Sequence, residues 1–232
     1  MTTYYGSYIF LLRTTILNVI FSLLFTAVYR FLRGDDELFS RIADKFTSAW
    51  QKGVAPAVHR IFAVSNESQE RKWEAYRQRL HNKTTEEHFH GTKLSCNIIT
   101  SQSPCRDGNC GVCGISCSGL DRTHIRKNID FQRFGHGFYL APHSSKCHDY
   151  TEGSHHYRAM LLCEVCPGNK YLLETNGQHL NGPPRGYDSV YGQVTNGSQL
   201  NYPEIVVYEP DAVIPRFIIL YQKDGVNHPL SR

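Results

Sequence analysis

The segment RFGHGFYLAPHSSKCHDY, residues 133–150, carries the densest pattern in this 232-residue sequence. Tyr139 lies in a short apolar run, and Tyr150 follows eleven residues later, after a polar Ser-Ser-Lys turn. Two tyrosines that flank one pocket can hold a flat ring between them, because aromatic rings favour stacked contacts. The segment therefore predicts a binding site for an aromatic ligand, although a single tyrosine in a strand is more often part of a core.

Two other segments supply polar groups for such a site. HFHGT, residues 88–92, places the His90 imidazole beside Gly91, and a glycine lets the backbone approach a ligand closely. EIVVY, residues 204–208, begins with Glu204 and continues as an apolar, strand-like run. This carboxylate at the mouth of a β-core is a candidate group for stabilising a positive charge. Taken singly, a His-Gly pair is more often an ordinary loop than a ligand site.

In this order, the three segments resemble the catalytic domain of the poly(ADP-ribose) polymerase family, over roughly residues 86–223. The matching motifs are His90-Gly91-Thr92, Gly137-Phe138-Tyr139-Leu140-Ala141, Ser145-Lys146 with Tyr150, Asp188-Ser189-Val190-x-Gly192 and Glu204-Ile205-Val206-Val207-Tyr208. Within the family, the resemblance is closest to a fungal group of single-domain members that share the HGT, Cys-x₄-Cys-x₂-Cys and GYDSV segments.

The resemblance implies that the domain binds NAD⁺ as its substrate. His90 would bind the 2′-hydroxyl of the adenine-side ribose, and Gly91 would bind the nicotinamide carboxamide through its backbone. Tyr139 and Tyr150 would bracket the nicotinamide ring. Glu204 would accept a hydrogen bond from the 2′-hydroxyl of the nicotinamide ribose. The further NAD⁺-binding or catalytic residues implied are Thr92, Ser145, Lys146 and Cys147.

The reaction explains why these residue types are needed. Breaking the bond between ribose and nicotinamide produces an oxocarbenium-like cation, which a fixed carboxylate stabilises. The implied catalytic residues are Glu204, His90, Tyr139 and Lys146. The sequence departs from the family at Cys147, where a serine hydroxyl ordinarily bonds the carboxamide. A thiol is a weaker hydrogen-bonding group, so the departure predicts weaker NAD⁺ binding.

These residues predict an enzyme that moves ADP-ribose from NAD⁺ to an unidentified protein acceptor. Two alternatives stay open: an NAD⁺ glycohydrolase, in which water is the acceptor, and a catalytically silent NAD⁺-binding or interaction module. The formal net charge of +4 is mild and the basic residues are scattered, so the composition is no direct evidence for a nucleic-acid partner.

Composition and periodicity predict a mostly β domain with few helices. The resemblance implies the α+β ADP-ribosyltransferase fold, with split antiparallel sheets around an NAD⁺-binding cleft. Residues 86–223 form the predicted catalytic domain, with strands in RAMLLCEV (158–165), EIVVY (204–208) and RFIILY (216–221). Residues 34–85 are predicted to be a helical region, and residues 224–232 a C-terminal tail. The residues that recur at helical spacing are Phe39, Ile42, Ala43, Phe46 and Trp50.

Eight cysteines are present, and five of them lie between Cys96 and Cys117. Such clustering favours a structural Zn²⁺ site over disulfides, which remain the alternative. The resemblance to the fungal group selects Cys96, Cys105, Cys110 and Cys113 as ligands, with Cys117 as a substitute. Interleaved glycines favour a knuckle-like loop over a helix here.

The N-terminus carries the uncharged run TTILNVIFSLLFTAVY, residues 14–29. Residues 1–33 are therefore predicted as a hydrophobic N-terminal helix, with residues 8–33 as a membrane anchor whose catalytic domain faces the cytosol. A cleaved signal peptide and a helix packed on a soluble intracellular domain remain alternatives.

Overall fold

The computed structural model describes residues 27–125, 132–153 and 157–222. Within these ranges the helices are α1 (Glu37–Ser48), α2 (Glu67–Arg79), α3 (Ile98–Ser101), α4 (Gly111–Ser118) and α5 (Ser144–His148). The strands are β1 (Val28–Leu32), β2 (Val58–Ser65), β3 (Glu86–Gly91), β4 (Lys93–Leu94), β5 (Phe138–Leu140), β6 (Glu152–Gly153), β7 (Tyr157–Val165), β8 (Lys170–Leu173), β9 (Ser189–Gly192), β10 (Glu204–Val207) and β11 (Val213–Gln222). More of these residues lie in strands than in helices, in agreement with the predicted α+β, mostly β class.

The larger sheet is antiparallel, with five strands in the order β1-β2-β11-β7-β3. The central strand β11 and its neighbour β7 are mostly apolar because both faces of the sheet are covered. Ile218 packs into the core layer that contains Trp73 of α2, whereas the next residue, Ile219, packs into the opposite layer with Phe46 of α1. The alternation of side chains along a strand thus builds two cores from one sheet.

A second sheet of four strands, in the order β5-β10-β9-β8, lies beside the end of β3. An antiparallel bridge between Phe89 and Ala141 connects the two sheets. The strands predicted in RAMLLCEV, EIVVY and RFIILY are confirmed as β7, β10 and β11. The bridge brings β3, β5 and β10 together, and these three strands carry the predicted site.

The two long helices begin at side-chain caps. The Asp36 carboxylate accepts a hydrogen bond from the Leu38 N–H at the start of α1, and the Asn66 amide oxygen accepts bonds from the first turn of α2. The prediction that residues 34–85 are helical is wrong for Val58–Ser65, which form β2 between β1 and β11. Short apolar runs fit helical and strand periods equally well, and pairing on both edges decides for the strand here.

The predicted N-terminal helix is also wrong at its C-terminal end. Val28–Leu32 form β1, an edge strand whose register pairs Val28 with Ser65 and Leu32 with Ile61. The remainder of that prediction, residues 1–26, lies outside the described residues, as do the residues of the predicted C-terminal tail. No helix within the described ranges is both long and apolar enough to cross a membrane.

Candidate active site

His90 lies near the end of β3 and is oriented by β5. Its Nδ1 is 3.0 Å from the carbonyl oxygen of Tyr139. A carbonyl can only accept, so Nδ1 carries the proton and donates it. Burial lowers the pKa of His90, only partly offset by the Tyr139 carbonyl. The ring is therefore neutral at physiological pH, and Nε2 is left as a hydrogen-bond acceptor that suits a hydroxyl donor.

Gly91 ends β3 against the backbone of α5. A Cβ at this position would lie 2.0 Å from the carbonyl oxygen of Cys147 and 3.1 Å from the Cβ of Tyr150, so a side chain cannot fit without displacing backbone. Phe89 uses its own N–H and C=O to pair with Ala141 on the β5 side. Alternate residues of a strand direct these groups to the same side, so Gly91 presents its N–H and C=O beyond the end of that pairing.

Tyr139 is held by hydrogen bonds that engage its hydroxyl. The hydroxyl donates to the Gly135 carbonyl at 2.8 Å and accepts from the Phe134 N–H at 2.9 Å. Burial, followed by smaller effects that include the charges of Glu204 and Tyr150, raises the pKa of Tyr139. The ring, rather than the hydroxyl, is therefore the part of Tyr139 that is available to a ligand. Tyr150 on the other side is 46% exposed, so its ring faces solvent and can cover a ligand.

Glu204 begins β10 and forms an ion pair with Lys146 of α5. The two charged atoms, Oε1 and Nζ, are 3.0 Å apart, and the side chains are 8% and 18% exposed. Lys146 also donates to the Tyr150 hydroxyl at 3.3 Å. Burial lowers the pKa of Lys146, but Glu204 and Tyr150 together raise it further, and the net direction is upward. Lys146 is therefore protonated in the physiological range, and the pair is a fixed electrostatic feature of the cleft.

Cys147 and Ser145 lie deeper than the cleft surface. The Cys147 thiol donates to the Phe89 carbonyl at 3.0 Å, and burial raises the pKa of this thiol to about 12, so it is neutral. Ser145 is fully buried, and its hydroxyl accepts from the backbone N–H of Gln51 at 3.1 Å. This position does not support the predicted contact between Ser145 and NAD⁺; the side chain instead fixes α5 to the loop that follows α1.

That loop contributes groups that sequence reasoning missed. The Lys52 ammonium pairs with the Asp149 carboxylate at 2.5 Å and lies 5.9 Å from the centre of the Tyr202 ring, two residues before Glu204. The Gln51 amide nitrogen is 2.8 Å from Nε2 of His143. Residues 51 and 52 lie in a polar stretch after α1. No pattern in the sequence between them and α5 predicts that these two segments are in contact.

Four of the five clustered cysteines come together. The Sγ atoms of Cys96, Cys105, Cys110 and Cys113 all lie within 4.8 Å of one another, so the group could hold a metal ion, whereas Cys117 is outside it. Cys96 is 3.6 Å from Cys113 and 3.8 Å from Cys110, measured between sulfurs. Hydrogen bonds from Cys113 and Cys96 lower the pKa of Cys110. The predicted loop conformation is wrong beyond Cys110, which caps the N-terminus of α4.

Comparison with known proteins identifies a family and two human relatives. Residues 36–223 match the family described as the poly(ADP-ribose) polymerase catalytic domain. The chain is 29% identical over 139 residues to human protein mono-ADP-ribosyltransferase PARP3, a match that covers 58% of this chain and 22% of that protein. It is also 29% identical over 127 residues to human protein mono-ADP-ribosyltransferase PARP4, covering 49% of this chain and 7% of that protein. The chain thus spans less than a quarter of the length of either relative.

Proposed function

This chain belongs to the poly(ADP-ribose) polymerase catalytic domain family, and from that premise we propose that it transfers ADP-ribose from NAD⁺ to a protein acceptor and releases nicotinamide. The observation that carries the proposal is the convergence of His90, Gly91, Tyr139, Tyr150 and the Glu204–Lys146 pair on one cleft. Both human relatives carry protein mono-ADP-ribosyltransferase in their names, which supports the same reaction class.

NAD⁺ binding uses the two sides of this cleft. The nicotinamide ring lies between Tyr139 and Tyr150, and its carboxamide bonds the N–H and C=O of Gly91, a match of donor to acceptor and acceptor to donor. The adenine-side ribose donates its 2′-hydroxyl to Nε2 of His90, the nitrogen that the Tyr139 carbonyl leaves free. Lys146 lies at the Tyr150 end of the site and keeps Glu204 oriented.

The reaction breaks the bond between C1′ of the ribose and the nicotinamide nitrogen. The bonding electrons stay with nitrogen, so nicotinamide leaves neutral and positive charge develops on the ribose ring. The Glu204 carboxylate, which bonds the neighbouring 2′-hydroxyl, stabilises this charge. The acceptor's nucleophilic atom then bonds C1′ and gives up its proton. The neutral Cys147 thiol has no nucleophilic role in this sequence of steps.

Incubation with NAD⁺ labelled in the adenine moiety tests the proposal. We expect label on the chain itself or on added protein from its source extract. Free ADP-ribose without labelled protein would instead identify a glycohydrolase. Binding of NAD⁺ without its consumption would identify a silent module.

Zn²⁺ is the metal that we propose for the cysteine cluster. Tetrahedral zinc with Zn–S bonds of about 2.3 Å places its sulfurs about 3.8 Å apart, whereas a disulfide needs about 2.05 Å. The two sulfur–sulfur distances of 3.6 and 3.8 Å fit the first geometry and not the second. Ser95 donates its N–H to the Cys110 sulfur at 3.5 Å, as backbone amides do around a metal-bound thiolate.

Membrane association, with the catalytic domain in the cytosol, remains a proposal that rests on the apolar sequence before β1. Because Val28–Leu32 belong to the sheet, the proposed anchor shortens to residues 8–26, close to the roughly 20 residues that a span needs. The full chain should sediment with membranes and resist carbonate, and a form that starts at Thr26 should not. Glycosylation of Asn82 or Asn196, both exposed sequon asparagines, would place the domain in the lumen instead.

A further inference from the structure

The cysteine cluster lies on the same stretch of chain as the proposed carboxamide site. β3 ends at Gly91, β4 follows at Lys93–Leu94, and Cys96 comes two residues later. A strand advances by about 3.3 Å per residue, so Cys96 is within about 13 Å of Thr92. A metal that fixes Cys96 therefore restrains the chain that leaves the cleft.

The helix that carries two of the cysteines also contacts this chain directly. Gly111 is the first residue of α4, between the N-cap Cys110 and Cys113. A Cβ on Gly111 would lie 2.1 Å from Oγ1 of Thr92, so the helix backbone is packed against the residue that follows Gly91. Ser95 adds a hydrogen bond from its hydroxyl to the Asn109 carbonyl at 3.1 Å.

The opposite side of the cleft is connected to the same strand. β4 pairs in parallel with β6, with Lys93 opposite Glu152 and Leu94 opposite Gly153. β6 begins two residues after Tyr150, the tyrosine that covers the proposed nicotinamide site. β4 thus follows Gly91 on one side of that site and pairs with β6, which follows Tyr150 on the other side.

We infer that the cysteine cluster, when it holds Zn²⁺, sets the separation of Gly91 from Tyr150 through α4, β4 and β6. Zinc here positions the residues that bind NAD⁺ and does not only stabilise the loop that carries the cysteines. The inference rests on the proposed NAD⁺ site and adds a cause for its geometry. A displacement of about 1 Å in such a site can lower the rate about 10²-fold, so a metal ion outside the cleft can control it.

The test measures three quantities on the full chain: bound zinc, amide hydrogen exchange of residues 91–94 and 150–153, and NAD⁺ affinity by calorimetry. Each is measured before and after removal of zinc with a chelator. Cys105→Ser removes one ligand, and Cys117→Ser is its control outside the cluster. Gly111→Ala keeps all cysteines but adds a methyl group against Thr92. Gly114→Ala, on the same helix with open space around it, is the matched control.

We expect one zinc per chain, lost in Cys105→Ser and retained in the other three variants. Zinc removal should speed exchange in both segments and weaken NAD⁺ binding at least about tenfold. Gly111→Ala should weaken binding with zinc in place, and Gly114→Ala should match the unmodified chain. Unchanged exchange in both segments after zinc removal, or a chain that binds no zinc, would overturn the inference. If zinc removal speeds exchange in both segments but the zinc-loaded chain binds no NAD⁺, the proposed function is refuted and the effect of zinc on the two segments still stands.

Discussion

Replacing Glu204 by glutamine removes one charge from the centre of the cleft and little else. Glutamine keeps the length of the side chain and an oxygen that can accept the ribose 2′-hydroxyl. It cannot stabilise a cation in the way a carboxylate does, and it leaves the Lys146 ammonium, 3.0 Å away, without its anionic partner. The substitution therefore separates binding of NAD⁺ from the chemical step.

The expected loss follows from the charge and its distance. A carboxylate that accepts a bond from the 2′-hydroxyl lies about 4–5 Å from C1′, and at an effective dielectric constant of about 20 this gives roughly 3–4 kcal/mol for a full positive charge. That energy corresponds to about 10²–10³ in rate, the same range that is lost when one such group is removed from an enzyme. Lys146 offsets part of the field, which favours the lower end of that range.

The assay is single-turnover release of nicotinamide, with NAD⁺ affinity measured separately by calorimetry. Glu204→Gln should lower the rate by about 10² and change the dissociation constant by less than about threefold. Glu209→Gln is the control, since it removes the same charge from an exposed side chain paired with Arg122. A thermal unfolding curve for each variant excludes a loss through misfolding. A Glu204→Gln rate within threefold of the unmodified chain would refute the assigned role.

Three further predictions concern the NAD⁺ site. Gly91→Ala should lower the free energy of unfolding by about 1–3 kcal/mol and abolish measurable NAD⁺ binding, because its Cβ would lie 2.0 Å from the Cys147 carbonyl oxygen. Its control Gly34→Ala, which has open space around it, should change neither quantity. Cys147→Ser should strengthen NAD⁺ binding by up to about tenfold, through a hydrogen bond of roughly 0.5–1.5 kcal/mol, and weaker binding would show that this side chain does not face the carboxamide. Because burial lowers the pKa of His90, its neutral ring supports folding and NAD⁺ binding fully above about pH 6.5, and this support is lost as the pH falls through the lowered pKa. Calorimetric titrations from pH 8 to 5 should show this fall, and an equal fall in His90→Asn would assign it to another group.

The sequence predicts the strands of the larger sheet where their apolar runs are long. β7 and β11 are buried on both faces, and their composition shows it. β1 and β2 could not be read in the same way. Val28 and Tyr29 end an uncharged run that also suits a helix, and only pairing with Val58–Ser65 makes Val28–Leu32 an edge strand. Pairing between distant segments is not visible in the local pattern of either one.

The site shows the same contrast between what the local sequence predicts and what distant contacts decide. Motif order predicts His90, Tyr139 and Glu204 as site residues, since each lies beside a recognisable glycine or strand. The tautomer of His90 depends on a carbonyl 49 residues away, and the contact of Ser145 depends on Gln51, 94 residues away. Such partners are set by tertiary contacts, which one sequence does not display.

The order of strands in the larger sheet has a consequence for biosynthesis. β11, the last strand in sequence, occupies the centre of that sheet and separates β2 from β7. A nascent chain that has emerged only as far as Val165 thus contains both neighbours but lacks the strand that joins them. The apolar strands β2 and β7 each keep an unpaired backbone edge until residues 213–222 leave the ribosome, a period in which chaperones have the greatest access to this protein. Ribosome-bound chains halted before Val213 should therefore be sensitive to protease along β7, and chains released beyond Gln222 should be protected.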